Sequence, residues 1–156
     1  MKITDFLRKE SICTDLKAEN KLDLLAEMVS LLVDEGVIEK KYKNKIIDGL
    51  MAREALGSTA IGLGIAIPHT KSDTVTGLIS ALAISKRGVN FDSLDGGPVH
   101  IFFLLIAPAD SAGPHLKALA RVSRLLKDKF FRDSLKNTKS SKDVMDLIIQ
   151  EDSRTS

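Results

Sequence analysis

The sequence is poor in the residues that mark disulfide-rich and nucleic-acid-binding proteins. It has one cysteine, Cys13, so no disulfide can form within the chain and a reducing compartment is the simplest expectation. Aromatic residues make up 4% of the chain and tryptophan is absent, which disfavours a stacking surface for single-stranded nucleic acid. The formal net charge is only +2, with both signs interspersed, so we expect no nucleic-acid partner.

Long apolar segments are also absent. The longest apolar run lies around residues 101–109, whereas a membrane-spanning helix needs about 20 apolar residues. Residues 1–10 carry charges throughout and lack the apolar core of a signal peptide. We therefore expect a cytoplasmic protein that does not span the membrane.

The composition is that of ordinary globular material. The 156 residues are 44% hydrophobic and 28% charged, which suits one domain with a sizeable core. Repeats, low-complexity tracts and long linkers are not evident in the sequence. We predict a single domain over residues 1–152 and a frayed C-terminal tail over residues 153–156.

Apolar residues spaced by three and four predict several amphipathic helices. The first is expected to follow an N-cap at Asn20 and to stop at Gly36. A second is predicted over residues 40–55 and a third over residues 115–128. Two more are expected nearer the C-terminus, the last of them capped by Ser141.

Short apolar segments between these helices predict strands. We expect extended structure over residues 3–7 and 11–13, and a strand over residues 78–85. Residues 99–107 are apolar on both faces, as in a central strand that is covered on both sides. The pattern predicts a single-domain α/β sandwich, in which helices flank a mixed parallel and antiparallel sheet on both faces.

The segment GLGIAIPH, residues 62–69, ends a strand-like apolar run with a histidine. Imidazole can exchange protons or phosphoryl groups near neutral pH, and the proline before His69 restricts the backbone. We place His69 on a loop after the run, where functional groups of open α/β sheets gather. From position alone, a functional histidine and a loop histidine with a structural hydrogen bond are equally good interpretations.

Two further residues could complete an anion site. His115 follows a proline and opens a helix, whose free N–H groups suit an anion. Arg53 is the arginine nearest to this segment, and a guanidinium matches phosphate oxygens in pairs. Taken alone, His115 is more simply a first-turn or surface residue, and Arg53 a solvated charge at a helix end. His100 lies within the apolar strand and is left out of the site.

Other chemistries lack their sequence signatures. The chain has no G-x-S-x-G elbow and no P-loop, and its two closely spaced glycines are too few for a dinucleotide fingerprint. Cys13 shows no sign of activation. The three histidines are too far apart for the close spacing of a zinc site. We therefore predict neither a metal nor a cofactor.

Matching motifs of one known family are spread over nearly the whole chain. They are ARE at 52–54, ST at 58–59 before IG, GIAIPH at 64–69, FDSLD at 91–95 with PV at 98–99, and LLIAP at 104–108 followed by HL at 115–116. Together they resemble the enzyme IIA domain of the fructose/mannitol class of the bacterial phosphoenolpyruvate-dependent sugar phosphotransferase system. This type-2 class includes the nitrogen-related IIA proteins.

The resemblance implies a phosphotransferase with the expected sandwich fold. It implies that His69 is the phosphoryl acceptor, as a tele-phosphohistidine, that His115 lies beside it, and that Arg53 lies near the phosphoryl group. The implied donor is HPr or an HPr-like phosphocarrier. Many members have a glycine directly after the histidine, whereas this chain has Thr70, which bears on transfer efficiency or partner choice.

Three functions stay open within this resemblance. The domain could pass its phosphoryl group to a sugar-specific IIB component. It could instead be a nitrogen-related regulator whose phosphorylation state controls binding to transporters or kinases. A degenerate module that binds partners without being phosphorylated is the third. The sequence alone identifies neither the sugar nor the oligomeric state.

Overall fold

The computed structural model describes residues 1–155. Within that range the helices are α1 Lys21–Asp34, α2 Lys43–Ala55, α3 Ala112–Leu125, α4 Lys129–Lys136 and α5 Ser141–Thr155. The strands are β1 Ile12–Cys13, β2 Ala60–Gly62, β3 Ile65–Ala66, β4 His69–Ser72, β5 Ile79–Val89 and β6 Val99–Pro108. Helices and strands are thus interspersed along the chain, as predicted.

The strands form one sheet in the order β1-β5-β6-β3-β2, and β4 also pairs with β6. Strands β5 and β6 are antiparallel, whereas β3 and β4 both run parallel to β6. Ile65 lies opposite Ile101 and His69 opposite Leu105, so β3 and β4 follow each other along the same side of β6. The mixed sheet predicted from the sequence is confirmed.

Strand β6 supplies side chains to two separate cores. Phe102, Leu104 and Ile106 pack in a cluster that includes residues of α1 and α2. Ile101, Phe103 and Leu105 pack on the other face, in a cluster with residues of α3, α4 and α5. Since successive strand residues point to opposite faces, helices cover both faces of the sheet, which confirms the sandwich.

The caps of α1 were predicted correctly, and that of α5 was not. The Asn20 side chain accepts a hydrogen bond from the backbone N–H of Asp23 at 2.9 Å, and Gly36 has a φ of 73° just beyond the helix, as a C′ glycine does. At the start of α5, however, the backbone N–H of Asp143 donates to the Ser140 hydroxyl at 3.1 Å. The cap therefore lies one residue before the predicted Ser141.

The extended structure predicted for residues 3–7 is wrong, because Ile3–Asp5 forms a 3₁₀ turn. The Asp5 carboxylate accepts the backbone N–H of Lys2, and the N–H groups of residues 6 and 7 donate to the Ile3 carbonyl. The Ile3 N–H donates in turn to the buried Asp152 carboxylate at 2.7 Å. That carboxylate comes from α5, so tertiary packing adds to the local hydrogen bonds that hold this turn.

Other boundaries moved by a few residues. Lys40–Tyr42 is a 3₁₀ turn that leads into α2, and α3 lies three residues N-terminal to the predicted helix. Helix α5 continues through Thr155, into the range predicted as a tail, and Ser156 lies outside the described residues. In the part of the chain that the structure covers, no helix has the length and apolarity needed to cross a membrane.

Candidate functional site

His69 is the first residue of β4, so its predicted position on a loop is wrong. The Leu105 N–H donates to the Pro68 carbonyl at 2.9 Å, and His69 itself lies opposite Leu105. Proline has no N–H to donate to a sheet, and β3 ends two residues before Pro68. The interruption at residues 67–68 thus separates β3 from β4, and sheet pairing fixes the backbone that carries the His69 ring.

The His69 ring has one nitrogen engaged and one available. Its Nδ1 lies 2.8 Å from the Ile67 carbonyl oxygen. A carbonyl oxygen can only accept, so Nδ1 carries the proton and donates it. In a neutral imidazole the other nitrogen, Nε2, then keeps its lone pair. The ring is only half buried, so this arrangement presents Nε2 as the nucleophilic atom.

The pKa of His69 is lowered from its ordinary value of 6.5. Burial is the main cause, because it penalises the charged imidazolium, and the positive charge of Arg53 acts in the same direction. The hydrogen bond to Ile67 and the negative charge of Glu54 oppose this shift. The net result favours a neutral, nucleophilic ring near pH 7.

His115 lies next to His69. The two rings meet edge to face, with centroids 5.5 Å apart and planes inclined by 73°. His115 is 5% exposed and sits in the first turn of α3. Its Nε2 is buried and finds no hydrogen-bond partner among the described residues. A buried polar atom without a partner needs an explanation, and a ligand held between the two rings would supply one.

The pKa of His115 is also lowered from 6.5. Burial contributes most, followed by the charges of His69 and Lys71. Lys71 is two residues after His69 on β4, and therefore on the same face of the strand. Lys71 was not singled out from the sequence, because its place on the same face as His69 follows only once residues 69–72 are known to form a strand.

Arg53 occupies the last turn of α2. Its Nη1 donates to the Gly57 carbonyl at 2.9 Å. Within residues 1–155, this leaves the other guanidinium N–H groups available for a ligand. The side chain is close enough for its charge to lower the pKa of His69. The structure therefore brings the three residues singled out from the sequence, Arg53, His69 and His115, to one place.

A buried carboxylate next to Arg53 fixes the end of α2. Glu54 is 6% exposed and accepts hydrogen bonds from the backbone N–H and the hydroxyl of Thr59, at 3.1 and 2.5 Å. Lys21 Nζ lies 3.4 Å from the same carboxylate and 3.0 Å from that of Asp92. The network ties α2 to the segment that enters β2. Sequence reasoning missed it, because nothing local marks Glu54 as buried.

The remaining histidine lies outside this site, as predicted. His100 is on β6, and its Nδ1 lies 2.9 Å from the Ser85 carbonyl oxygen, to which it donates. Over residues 1–155, no three His, Cys, Asp or Glu side chains gather in a way that could hold a metal ion. The groups that converge are two neutral imidazoles and a guanidinium, and these suit a phosphoryl group.

The fold and the family match define a component of a phosphotransferase system. A family model described as "Phosphoenolpyruvate-dependent sugar phosphotransferase system, EIIA 2" matches residues 5–151. The chain belongs to this family of phosphoryl carriers. The resemblance inferred from the sequence motifs is thereby confirmed.

Relatives of two kinds are similar to the chain. It is 37% identical over 152 residues to the "PTS system fructose-specific EIIABC component" of Bacillus subtilis. The matched region is 97% of this chain but only 24% of that protein. It is also 37% identical over 144 residues to a "Nitrogen regulatory protein" of Bradyrhizobium diazoefficiens, covering 92% of this chain and 90% of that protein. Identity alone thus does not separate sugar-transport from regulatory relatives.

Solved structures share the fold. The nitrogen regulatory protein IIA-Ntr from Neisseria meningitidis superposes with a TM-score of 0.85 at 32% identity, covering 94% of this chain and 98% of that one. IIA mannitol from Escherichia coli superposes with a TM-score of 0.76 at 23% identity, covering 91% and 98%. At that identity the second match shows the fold alone.

Proposed function

We propose that the chain carries a phosphoryl group on Nε2 of His69, as a tele-phosphohistidine. The observation that carries this proposal is the 2.8 Å contact between His69 Nδ1 and the Ile67 carbonyl. Because Nδ1 is the donor in that bond, Nε2 holds the lone pair that must attack phosphorus. The lowered pKa of His69 supports the proposal, since a protonated ring has no free lone pair.

Phosphoryl transfer to His69 needs no reactant other than the phosphorylated carrier. The donor is HPr or an HPr-like phosphocarrier that is itself phosphorylated on a histidine. The lone pair of His69 Nε2 forms the new N–P bond while the donor's N–P bond breaks, and its electron pair returns to the donor imidazole. His69 Nδ1 keeps its proton throughout, so the step needs positioning and charge stabilisation rather than acid–base catalysis.

His115 and Arg53 would stabilise the phosphoryl group. The unpartnered Nε2 of His115 is the atom that would donate to a phosphoryl oxygen, next to the acceptor ring. Arg53 supplies a positive charge and free N–H donors from the end of α2. Neutral imidazoles and one guanidinium favour a transferring phosphoryl group without binding it so tightly that it stays.

The proposal is tested by phosphorylation with phosphoenolpyruvate, enzyme I and HPr, followed by assay of acid-labile phosphate. We expect the wild type to be labelled and His69→Ala to remain unlabelled. His100→Gln is the matched control, since that ring lies outside the site, and should be labelled like the wild type. Phosphorus and nitrogen NMR should assign the phosphoryl group to Nε2. Label on His69→Ala, or attachment at Nδ1, would overturn the proposal.

The protein that receives the phosphoryl group distinguishes the functions that remain open. The Escherichia coli mannitol IIA has been observed in a complex with phosphorylated IIB, which supports a IIB component as the recipient. The similarity to nitrogen regulatory proteins supports the alternative, in which phosphorylation controls binding to a transporter or kinase. Adding a IIB component distinguishes them, because a regulator should retain its phosphoryl group. An unlabelled wild type would instead indicate a non-phosphorylated binding module.

We also place the protein in the cytoplasm, where phosphoenolpyruvate is available to the phosphoryl donors. The single cysteine supports this location, because a chain without an internal disulfide suits a reducing compartment. Fractionation of cells that produce the protein, with a cytoplasmic and a periplasmic marker enzyme, tests it.

A further inference from the structure

Helix α2 has a glycine where it faces strand β4. A Cβ built on Gly49 would lie 2.9 Å from Thr70 Oγ1, 3.6 Å from Thr70 Cγ2 and 3.7 Å from Thr70 Cβ. The three nearest atoms therefore all belong to one residue. Real Cβ atoms essentially never approach another heavy atom within 3.0 Å, so the Thr70 side chain occupies the space that any other residue at position 49 would need.

Backbone conformation does not explain this glycine. Gly49 lies inside α2 and is not among the residues with positive φ, so every L-residue could adopt its backbone angles. Glycine weakens a helix interior relative to alanine, because it loses more conformational freedom on folding. Close packing against Thr70 is the observation that accounts for it.

This contact connects the two elements that carry the site. Gly49 and Arg53 are four residues apart on α2, and therefore on the same side of the helix. Thr70 directly follows His69 on β4, with its side chain on the opposite face of the strand. How closely α2 approaches β4 at Gly49 thus governs how closely Arg53, one turn further along, approaches the edge of the strand where His69 lies.

We propose that Thr70 is a positioning residue. Its side chain fills the space next to Gly49 and thereby sets the distance between the Arg53 guanidinium and His69. The inference rests on the proposed function, in which Arg53 stabilises the phosphoryl group. It gives a structural role to Thr70, which stands where many members of the family have a glycine directly after the histidine. Threonine suits this purpose because its β-branched side chain has little freedom at χ1.

The test is a double-mutant cycle between positions 49 and 70. In Gly49→Ala, we expect the new methyl group to push α2 away from β4 and to slow phosphoryl transfer about tenfold, since small misplacements cost large factors in such sites. The loss should fall on kcat rather than on KM for the phosphocarrier. Thr70→Gly in the Gly49→Ala background should restore most of the rate, because it empties the space that the methyl group needs.

A second cycle asks whether the effect passes through Arg53. In an Arg53→Gln background, Gly49→Ala should slow transfer far less than it does in the wild type. Gly77→Ala is the matched control, since a Cβ at Gly77 meets no heavy atom within 4 Å, and it should transfer at the wild-type rate. Thermal unfolding of each variant separates loss of positioning from loss of fold.

An NMR titration gives a readout that does not need phosphoryl transfer. Because the Arg53 charge lowers the pKa of His69, moving Arg53 away in Gly49→Ala should raise that pKa, and Thr70→Gly should reverse the change. If the pKa of His69 rises in Gly49→Ala but the wild type is never phosphorylated, the packing inference stands and the proposed function is rejected. An unchanged rate and pKa in folded Gly49→Ala, as expected if Thr70 simply rotates about χ1, would overturn the inference.

Discussion

The rings of His69 and His115 meet edge to face, with centroids 5.5 Å apart, although one begins a strand and the other lies in the first turn of a helix. Nδ1 of His69 donates to the Ile67 carbonyl, which leaves the lone pair on Nε2 of that ring. Nε2 of His115 has no hydrogen-bond partner among the described residues. The pair therefore combines a nucleophile with an unused polar atom in a single place.

His115→Ala should slow phosphoryl uptake by His69 on the order of 10²-fold, the usual effect of removing one donor to a developing anion. Its folding stability should also fall, because the substitution removes a ring that is only 5% exposed and packs against His69. Single-turnover transfer from the phosphorylated carrier, with unfolding measured in parallel, checks both expectations. A wild-type rate in the folded variant would show that His115 only packs against His69.

Arg53→Gln should shift the pH dependence of phosphoryl uptake. Uptake requires a neutral His69, so the rate falls as the pH drops through the pKa of that ring. Burial, and then the Arg53 charge, hold this pKa below 6.5. Removing the charge raises the pKa, and the acid limb of the profile should move to higher pH. In the matching NMR titration, the resonance that is absent from His69→Ala belongs to the His69 ring. If the acid limb does not move in Arg53→Gln, the Arg53 charge has no effect on the pKa of His69.

The sequence predicted those parts of the fold that depend on local pattern. The apolar run over residues 99–107 and the cap at Asn20 indicate a buried strand and a helix start, and both are present. Strand β4 was not predicted, because His69–Ser72 has no apolar alternation and is held by pairing with β6. The turn at Ile3 was also missed, since part of its support is the hydrogen bond from the Ile3 N–H to Asp152, near the other end of the chain.

The site residues required more than pattern. Position alone left His69 evenly divided between a functional and a structural interpretation, and favoured a structural one for Arg53 and His115. The family resemblance brought them together, and the structure shows their proximity. The contact between Gly49 and Thr70 had no signal in the sequence, because it joins segments that only tertiary packing brings into register.

Thr59→Val should destabilise the fold by about 1–3 kcal/mol, the usual cost of depriving a buried polar group of its partner. Valine keeps the shape of threonine but cannot donate to the buried Glu54 carboxylate, which Lys21 and the residue 59 N–H would then support alone. Thr59→Ser keeps the hydroxyl and should lose less. Urea unfolding measures the difference, and equal midpoints for the two variants would show that the Thr59 hydroxyl contributes little to stability.

Folding stability should itself decrease as the pH falls through the histidine range. Burial is the main reason why the pKa values of His69 and His115 are lower than 6.5 in the folded chain, so the unfolded chain binds more protons around that pH. Stability contributed by the neutral rings is therefore fully present above pH 6.5 and is lost as the pH drops towards the folded pKa values. The free energy of unfolding, measured between about pH 5 and pH 8, should show this slope, and His69→Ala and His115→Ala should each reduce it. A slope that both variants retain unchanged would mean that other groups cause it.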